Sequence, residues 1–218
     1  GLADVYSAAV KAHGIKVTTV AAHEDGKADY SAEVSTLASA GGDAVAVIGY
    51  LDQGGKGIIQ GSLDSGAFDT FILSDGMIGD SLTDAFGKSL NKSFGSLPGS
   101  TGKGAGVFTK VAKAAGIDSS GPYTGESYDA AALIVLAMQA GGSADRGSIA
   151  KNVMAVANGP GKKIYPGELK KALDLLAKGK AVDYEGATGV MFTKVGEAEG
   201  SFLEKEIKYG KFKTKKQR

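Results

Sequence analysis

Two short stretches carry the residues best suited to holding a small molecule. Residues 43–48 and 70–73 are apolar runs, and each breaks into glycine beside a side chain with a binding group. The first break is Ile48-Gly49-Tyr50 and the second is Ser74-Asp75-Gly76. An aromatic ring offers apolar area, and a carboxylate makes charge-assisted hydrogen bonds to an ammonium. Together they suit a cationic or zwitterionic ligand. Each residue also has a plainer reading, Asp75 as the cap of a following helix and Tyr50 as a rim aromatic with a wet hydroxyl. The recurrence of one arrangement on two segments favours binding.

Other chemistries find little support. The chain has no cysteine, so thiolate metal sites, disulfides and cysteine nucleophiles are excluded. Its two histidines, His13 and His23, lack partners at metal-binding spacing, and no cofactor is implied. No Gly-x-Ser-x-Gly elbow occurs, which leaves a hydrolase or transferase as the reading of another class, without a nucleophile–base pair to carry it. The stretch Gly99-Ser100-Thr101-Gly102-Lys103-Gly104 is no phosphate loop. That motif needs glycine at 97 and Ser or Thr at 104, where Leu97 and Gly104 stand. Asn91-Lys92-Ser93 matches a glycosylation acceptor, a pattern short enough to arise by chance.

The elements that must position Tyr50 and Asp75 are strands alternating with helices. Helical patterns cover residues 2–13, closed by Gly14, then 30–40 behind Asp29, and 55–63. Extended, β-branched runs cover 15–21, 44–48 and 71–73. This alternation predicts an α/β fold with a parallel sheet flanked by helices. In such a sheet the carboxyl ends of the strands face the ligand, and Tyr50 and Asp75 occupy two of them. Residues 92–106 read as a Gly/Ser/Lys-rich crossover. Beyond it come helices at 107–115, 127–140, 148–157 and 166–177, then strands at 190–193 and 201–212. The 127–140 helix is apolar nearly all round and therefore buried. This second half shows few strands of its own for its helices to cover.

Of the 218 residues 22% are charged, with a net charge of +1, which gives no global argument for nucleic acid. The basic run near the end (Lys208, Lys211, Lys213, Lys215, Lys216, Arg218) is expected to be a solvated, frayed terminus, a nucleic-acid or membrane tail being the lesser reading. No run of about 18 apolar residues is present to span a bilayer.

The ordered set of short motifs resembles the branched-chain amino acid (Leu/Ile/Val) type of periplasmic substrate-binding proteins of ABC importers. The matching pieces run from Gly1-Leu2-Ala3 through Asp29-Tyr30-Ser31-Ala32, residues 43–50, Ser74-Asp75-Gly76 and Pro98-Gly99-Ser100. They continue with Gly121-Pro122-Tyr123-Thr124-Gly125-Glu126-Ser127-Tyr128-Asp129-Ala130 and Tyr184-Glu185-Gly186-Ala187-Thr188-Gly189. The resemblance implies two Rossmann-like lobes that bind a solute, without catalysis, and a membrane permease as partner. It assigns residues 1–98 to the second lobe, 99–185 to a helix-rich, incomplete return into the first, and 186–218 to a last crossover and closing strands. By resemblance Tyr50 packs on the ligand, Asp75 pairs with its α-ammonium, and Tyr123 is a further ligand aromatic. An amide, urea or aromatic acid is the alternative ligand. The family implies a periplasmic, or lipid-anchored extracellular, location. Measured against it the chain is expected to be an N-terminally truncated fragment, whose helices at 127–140 and 166–177 look to a missing segment or a second chain for a sheet.

Overall fold

The computed structural model describes residues 1–119 and 121–218. In chain order the elements are α1 (Leu2–Ala12), α2 (Ser31–Ala40), β1 (Val45–Val47), α3 (Lys56–Asp64), β2 (Phe71–Leu73), α4 (Asp80–Phe86) and β3 (Phe94–Pro98). There follow α5 (Lys103–Ala114), α6 (Thr124–Gly141), α7 (Arg146–Ala157), β4 (Lys162–Ile164), α8 (Leu169–Leu176) and β5 (Val182–Tyr184). The chain closes with β6 (Met191–Phe192), β7 (Ala198–Glu199), β8 (Phe202–Lys208) and β9 (Lys211–Gln217). They form two compact units, one of Gly1–Leu97 with Glu204–Lys216, the other of Pro98–Leu203 with Gln217–Arg218.

The first unit is built on a five-stranded sheet in the order β1-β2-β3-β8-β9. β1, β2 and β3 are mutually parallel, with Val45 opposite Phe71, Val47 opposite Leu73 and Leu73 opposite Gly95. Val45, Val47, Phe71 and Leu73 are buried on the strands, and Ile58, Ile59, Met77 and Leu82 are buried on the segments that follow them. Each such side chain removed from water contributes roughly 1.5–3 kcal/mol. β3 lies inside the stretch expected to be a crossover. Gly95 and Ser96 hid its alternation, yet Gly95 is required there because a Cβ would stand 2.3 Å from the Leu73 carbonyl oxygen. α4 was likewise not legible.

Three further expectations are corrected in this unit. Residues 15–21 form no strand. They run alongside β1 across a cavity of about 980 Å³, with Ile15 and Val20 exposed, and Thr18 bonds the carbonyl of Gly41 instead of a ladder. The basic terminus is not frayed, for β8 and β9 turn on Tyr209-Gly210, both at positive φ. Ion pairs from Lys215 and Lys216 to Glu204, and from Lys208 to Glu206, tie its charges down. The single strand read over 201–212 is therefore two strands about that turn.

The second unit supplies strands the sequence did not reveal. β4 and β5 pair in parallel, Ile164 opposite Tyr184. Leu133 and Leu136 of α6, Val156 of α7 and Ala172 of α8 pack with Ile164, Val182 and Tyr184 in one buried cluster. The helices at 127–140 and 166–177 thus cover a small sheet of the chain's own. Three-residue strands with Lys162, Lys163 and Asp183 carry too few apolar residues for their pattern to show. The last helix begins at Leu169 rather than 166 because residues 165–168 form a turn, with Glu168 N–H donating to the Tyr165 carbonyl and Glu168 Oε2 accepting from Tyr165 N–H.

One buried acid organises this unit. Asp129, 2% exposed, accepts from the Tyr184 hydroxyl at 2.9 Å, Ala187 N–H at 2.7 Å, and both N–H and hydroxyl of Thr188 at 2.8 Å. This fixes the turn after β5 on α6. Burial, reinforced by the Asp129 charge and hydrogen bond, pushes the Tyr184 hydroxyl well above the usual tyrosine range. The folded protein therefore keeps this proton where the unfolded chain loses it. The contribution of this tyrosine to stability should be constant below about pH 10 and be lost above it, and Tyr184→Phe should flatten that alkaline fall in urea titrations. In the same titrations near neutral pH, Asp129→Ala should cost about 3 kcal/mol or more, stranding several buried donors, and Tyr184→Phe about 1 kcal/mol.

Candidate functional site

The site lies in the first unit, at the carboxyl ends of β1 and β2. Parallel pairing in register brings residues 48–50 beside 74–76. Ser74 fastens the two ends, its N–H donating to the Val47 carbonyl at 3.1 Å and its hydroxyl lying 3.3 Å from both the N–H and the carbonyl oxygen of Gly49. Tyr50 leaves β1 in extended conformation and is 61% exposed, so its ring is presented rather than packed away. Its carbonyl accepts from Gln53 and Gly55 N–H, which starts the tight turn over Leu51–Gly55, where Gly54 takes φ 125°.

Asp75 opens a single 3-10 turn, Asp75–Met77, and its Oδ1 accepts from the N–H of Gly76 at 2.8 Å. The capping reading thus has a local basis. Gly76 is where the two residues meet. A Cβ there would stand 2.5 Å from the Gly49 carbonyl oxygen and 2.8 Å from Tyr50 Cδ1. The Tyr50 ring therefore lies against the backbone of Gly76, the residue that follows Asp75. Ser74 and the glycines Gly49 and Gly76 had no assigned role in the sequence. Their signal was the recurrence of glycine at both strand ends.

Tyr123 belongs to the second unit. It caps the start of α6 in the left-handed region (φ 62°), accepts from Ser127 N–H at 2.9 Å and is 40% exposed. That conformation is costly for a bulky residue and concentrates at functional positions. Of the three expected site residues, Tyr50 and Asp75 are brought together, and Tyr123 stands in its own unit. Among the described residues no group of three or more His, Cys, Asp or Glu is arranged to hold a metal ion. Nor is any described helix long and apolar enough to cross a membrane.

With this geometry in view, the fold is that of the type I periplasmic binding proteins. A leucine-binding protein from Thermotoga maritima superposes with a TM-score of 0.63 and 20% identity, over 88% of this chain and 49% of its own. A type 1 periplasmic binding protein from Bordetella pertussis does so with a TM-score of 0.68 and 18% identity, over 97% and 56%. The chain spans about half the length of these relatives. A 68-residue stretch, 31% of the chain, is 40% identical to a chemotactic signal transduction system substrate-binding protein of Halobacterium salinarum and covers 16% of it. No protein-family model matches the sequence.

The closeness at Gly76 is testable without a ligand. Gly76→Ala should push the Tyr50 ring and the Gly49 carbonyl apart and lower stability by about 1–3 kcal/mol, the usual cost of forcing atoms into a packed site. A urea midpoint matching wild type, with unchanged near-ultraviolet circular dichroism, would contradict it.

Proposed function

We propose that the protein is the solute-binding component of an ABC importer and takes an amino acid, of branched-chain or other aliphatic type, presenting it to a membrane permease. The observation that carries this reading is the Tyr50 ring lying on Gly76 beside Asp75, at the ligand-facing ends of two parallel strands. Asp75 receives the α-ammonium, and Tyr50 covers the apolar part of the solute, with a cation–π contribution where the ammonium approaches the ring. Tyr123 is proposed as a further ligand aromatic. Residues 1–98 form one ligand-binding lobe on this reading, 99–185 the return into the other, and 186–218 the last crossover and the closing strands of the first. The role is binding without catalysis. Its place is the periplasm, or the outer face of a Gram-positive membrane through a lipid anchor.

A carboxylate in the site disfavours a purely anionic solute, because a buried like-charged neighbour is costly. The match to the Halobacterium protein favours a second reading of the partner, in which the loaded receptor is presented to a signalling protein rather than a permease. Ligand recognition is common to both.

Calorimetry on the intact protein with a panel of amino acids tests the proposal. Asp75→Ala should weaken binding by about 2–5 kcal/mol, the penalty for removing one partner of a buried charged pair. Tyr50→Ala should weaken it by about 1–3 kcal/mol through lost apolar contact. An Asp75→Ala affinity within a factor of two of wild type would reduce Asp75 to a cap.

A further inference from the structure

A cluster the binding reading leaves unused packs against the backbone that carries Tyr50. His23 follows the extended segment 15–22, and its side chain is 14% exposed. Its Nε2 edge lies on Gly49, where a Cβ would stand 3.2 Å from Nε2 and 3.5 Å from Cε1. The ring also meets Tyr30 edge-on, centroids 5.9 Å apart at 82°. Tyr30 in turn abuts the turn after Tyr50. Its hydroxyl lies 3.5 Å from the Gln53 carbonyl oxygen, and a Cβ on Gly54 would be 2.5 Å from that hydroxyl. His23 and Tyr30 therefore clamp the segment bearing Tyr50 from both its ends.

The other edge of the imidazole faces Asp25, and Glu33 lies within electrostatic reach of the ring. Nδ1 lies 4.0 Å from Asp25 Oδ1 and has no hydrogen-bond partner, and Glu33 Oε2 of α2 is likewise buried without one among the described residues. Lys27 faces the same cluster and binds Glu33 through its other oxygen at 2.5 Å. Tyr30 is held separately, accepting from Lys27 N–H at 3.0 Å and donating to the Glu24 carbonyl at 3.2 Å. The ring thus has its contacts on the Gly49 and Tyr30 side, and Nδ1 has no hydrogen bond on the acid side. An imidazolium, protonated at both nitrogens, would reverse that balance, because it carries a charge and pairs with carboxylates.

We propose that His23 is a positioning residue for Tyr50 whose hold depends on its protonation. Neutral, it packs on Gly49 and keeps the Tyr50 ring against Gly76; protonated, it is drawn to Asp25 and Glu33 and releases the Gly49–Tyr50 backbone. The consequence for ligand rests on the solute-binding reading of Tyr50 and Asp75, and predicts tighter binding at neutral than at acid pH.

The chain contains two histidines, so His13, at the end of α1, serves as an internal control. In the intact protein labelled for NMR, the Gly49 amide and Tyr50 ring signals should move between about pH 8 and pH 5, the range in which histidine changes charge. They should track His23 and not His13. His23→Gln should abolish the movement. The double variant Asp25→Asn, Glu33→Gln, which leaves the ring in place, should shrink it and decides the matter if His23→Gln fails to fold. Gly49 and Tyr50 signals that stay fixed while His23 titrates would overturn the proposal. In calorimetry with L-leucine as probe, wild-type affinity should fall about fivefold or more over the same range, the scale of an ordinary coupling, and His23→Gln affinity less than twofold. Absence of leucine binding at every pH would count against the solute reading alone, since the NMR response is read without ligand.

Discussion

The in-register parallel pairing of β1 with β2 is the constraint on which the candidate site depends. Strands of three residues have few ladder bonds, so the pairing is secured by burial of Val45, Val47, Phe71 and Leu73 and by the Ser74 contacts to Gly49. Slipping the register by one residue would turn these side chains to the opposite faces. It would also part Tyr50 from Asp75, which no longer would leave the sheet at the same level. Glycine at 49 and 76 is the other half of the constraint, because the Tyr50 ring and the Gly49 carbonyl already fill the space a Cβ at 76 would need.

The second unit solves a different problem by a comparable device. Two three-residue strands are too small a platform for three helices unless something pins the connecting turn. Asp129 does so from inside α6, collecting donors from Tyr184, Ala187 and Thr188. Gly186 lets that turn close, since it takes φ 58° and a Cβ there would meet Asp129 Oδ1 at 2.3 Å. A buried carboxylate is costly alone and tolerated when its lone pairs are filled, as they are here.

The two exposed aromatics have different physical grounds for their position. Tyr50 is held out by an extended backbone and by the tight turn that follows it, so its ring has nowhere inward to go. Tyr123 stands at the start of a helix in a left-handed conformation that an L-tyrosine does not adopt without compensation, here including the Ser127 bond to its carbonyl. Both present aromatic area in a direction that the main chain sets.

What the sequence determined by itself was the α/β alternation, the longer helices and the address of Tyr50 and Asp75. Helices such as α1 and α6 announce themselves because their apolar spacing and closing glycines are local properties of the chain. Strand ends at 48–50 and 74–76 were legible for the same reason, as apolar runs cut by glycine. What only the tertiary structure decided was pairing. β3, β4 and β5 are too short, or too rich in glycine and charge, to show a pattern, and they become strands because a neighbour supplies their hydrogen bonds. Residues 15–21 carry the pattern of a strand and lack the neighbour at bonding distance. The basic end, read as frayed, is ordered because β8 pairs with it and glutamates on β8 meet its lysines. The Asp129 cluster and the His23–Tyr30 clamp join residues far apart in the chain, and no local spacing encodes such contacts.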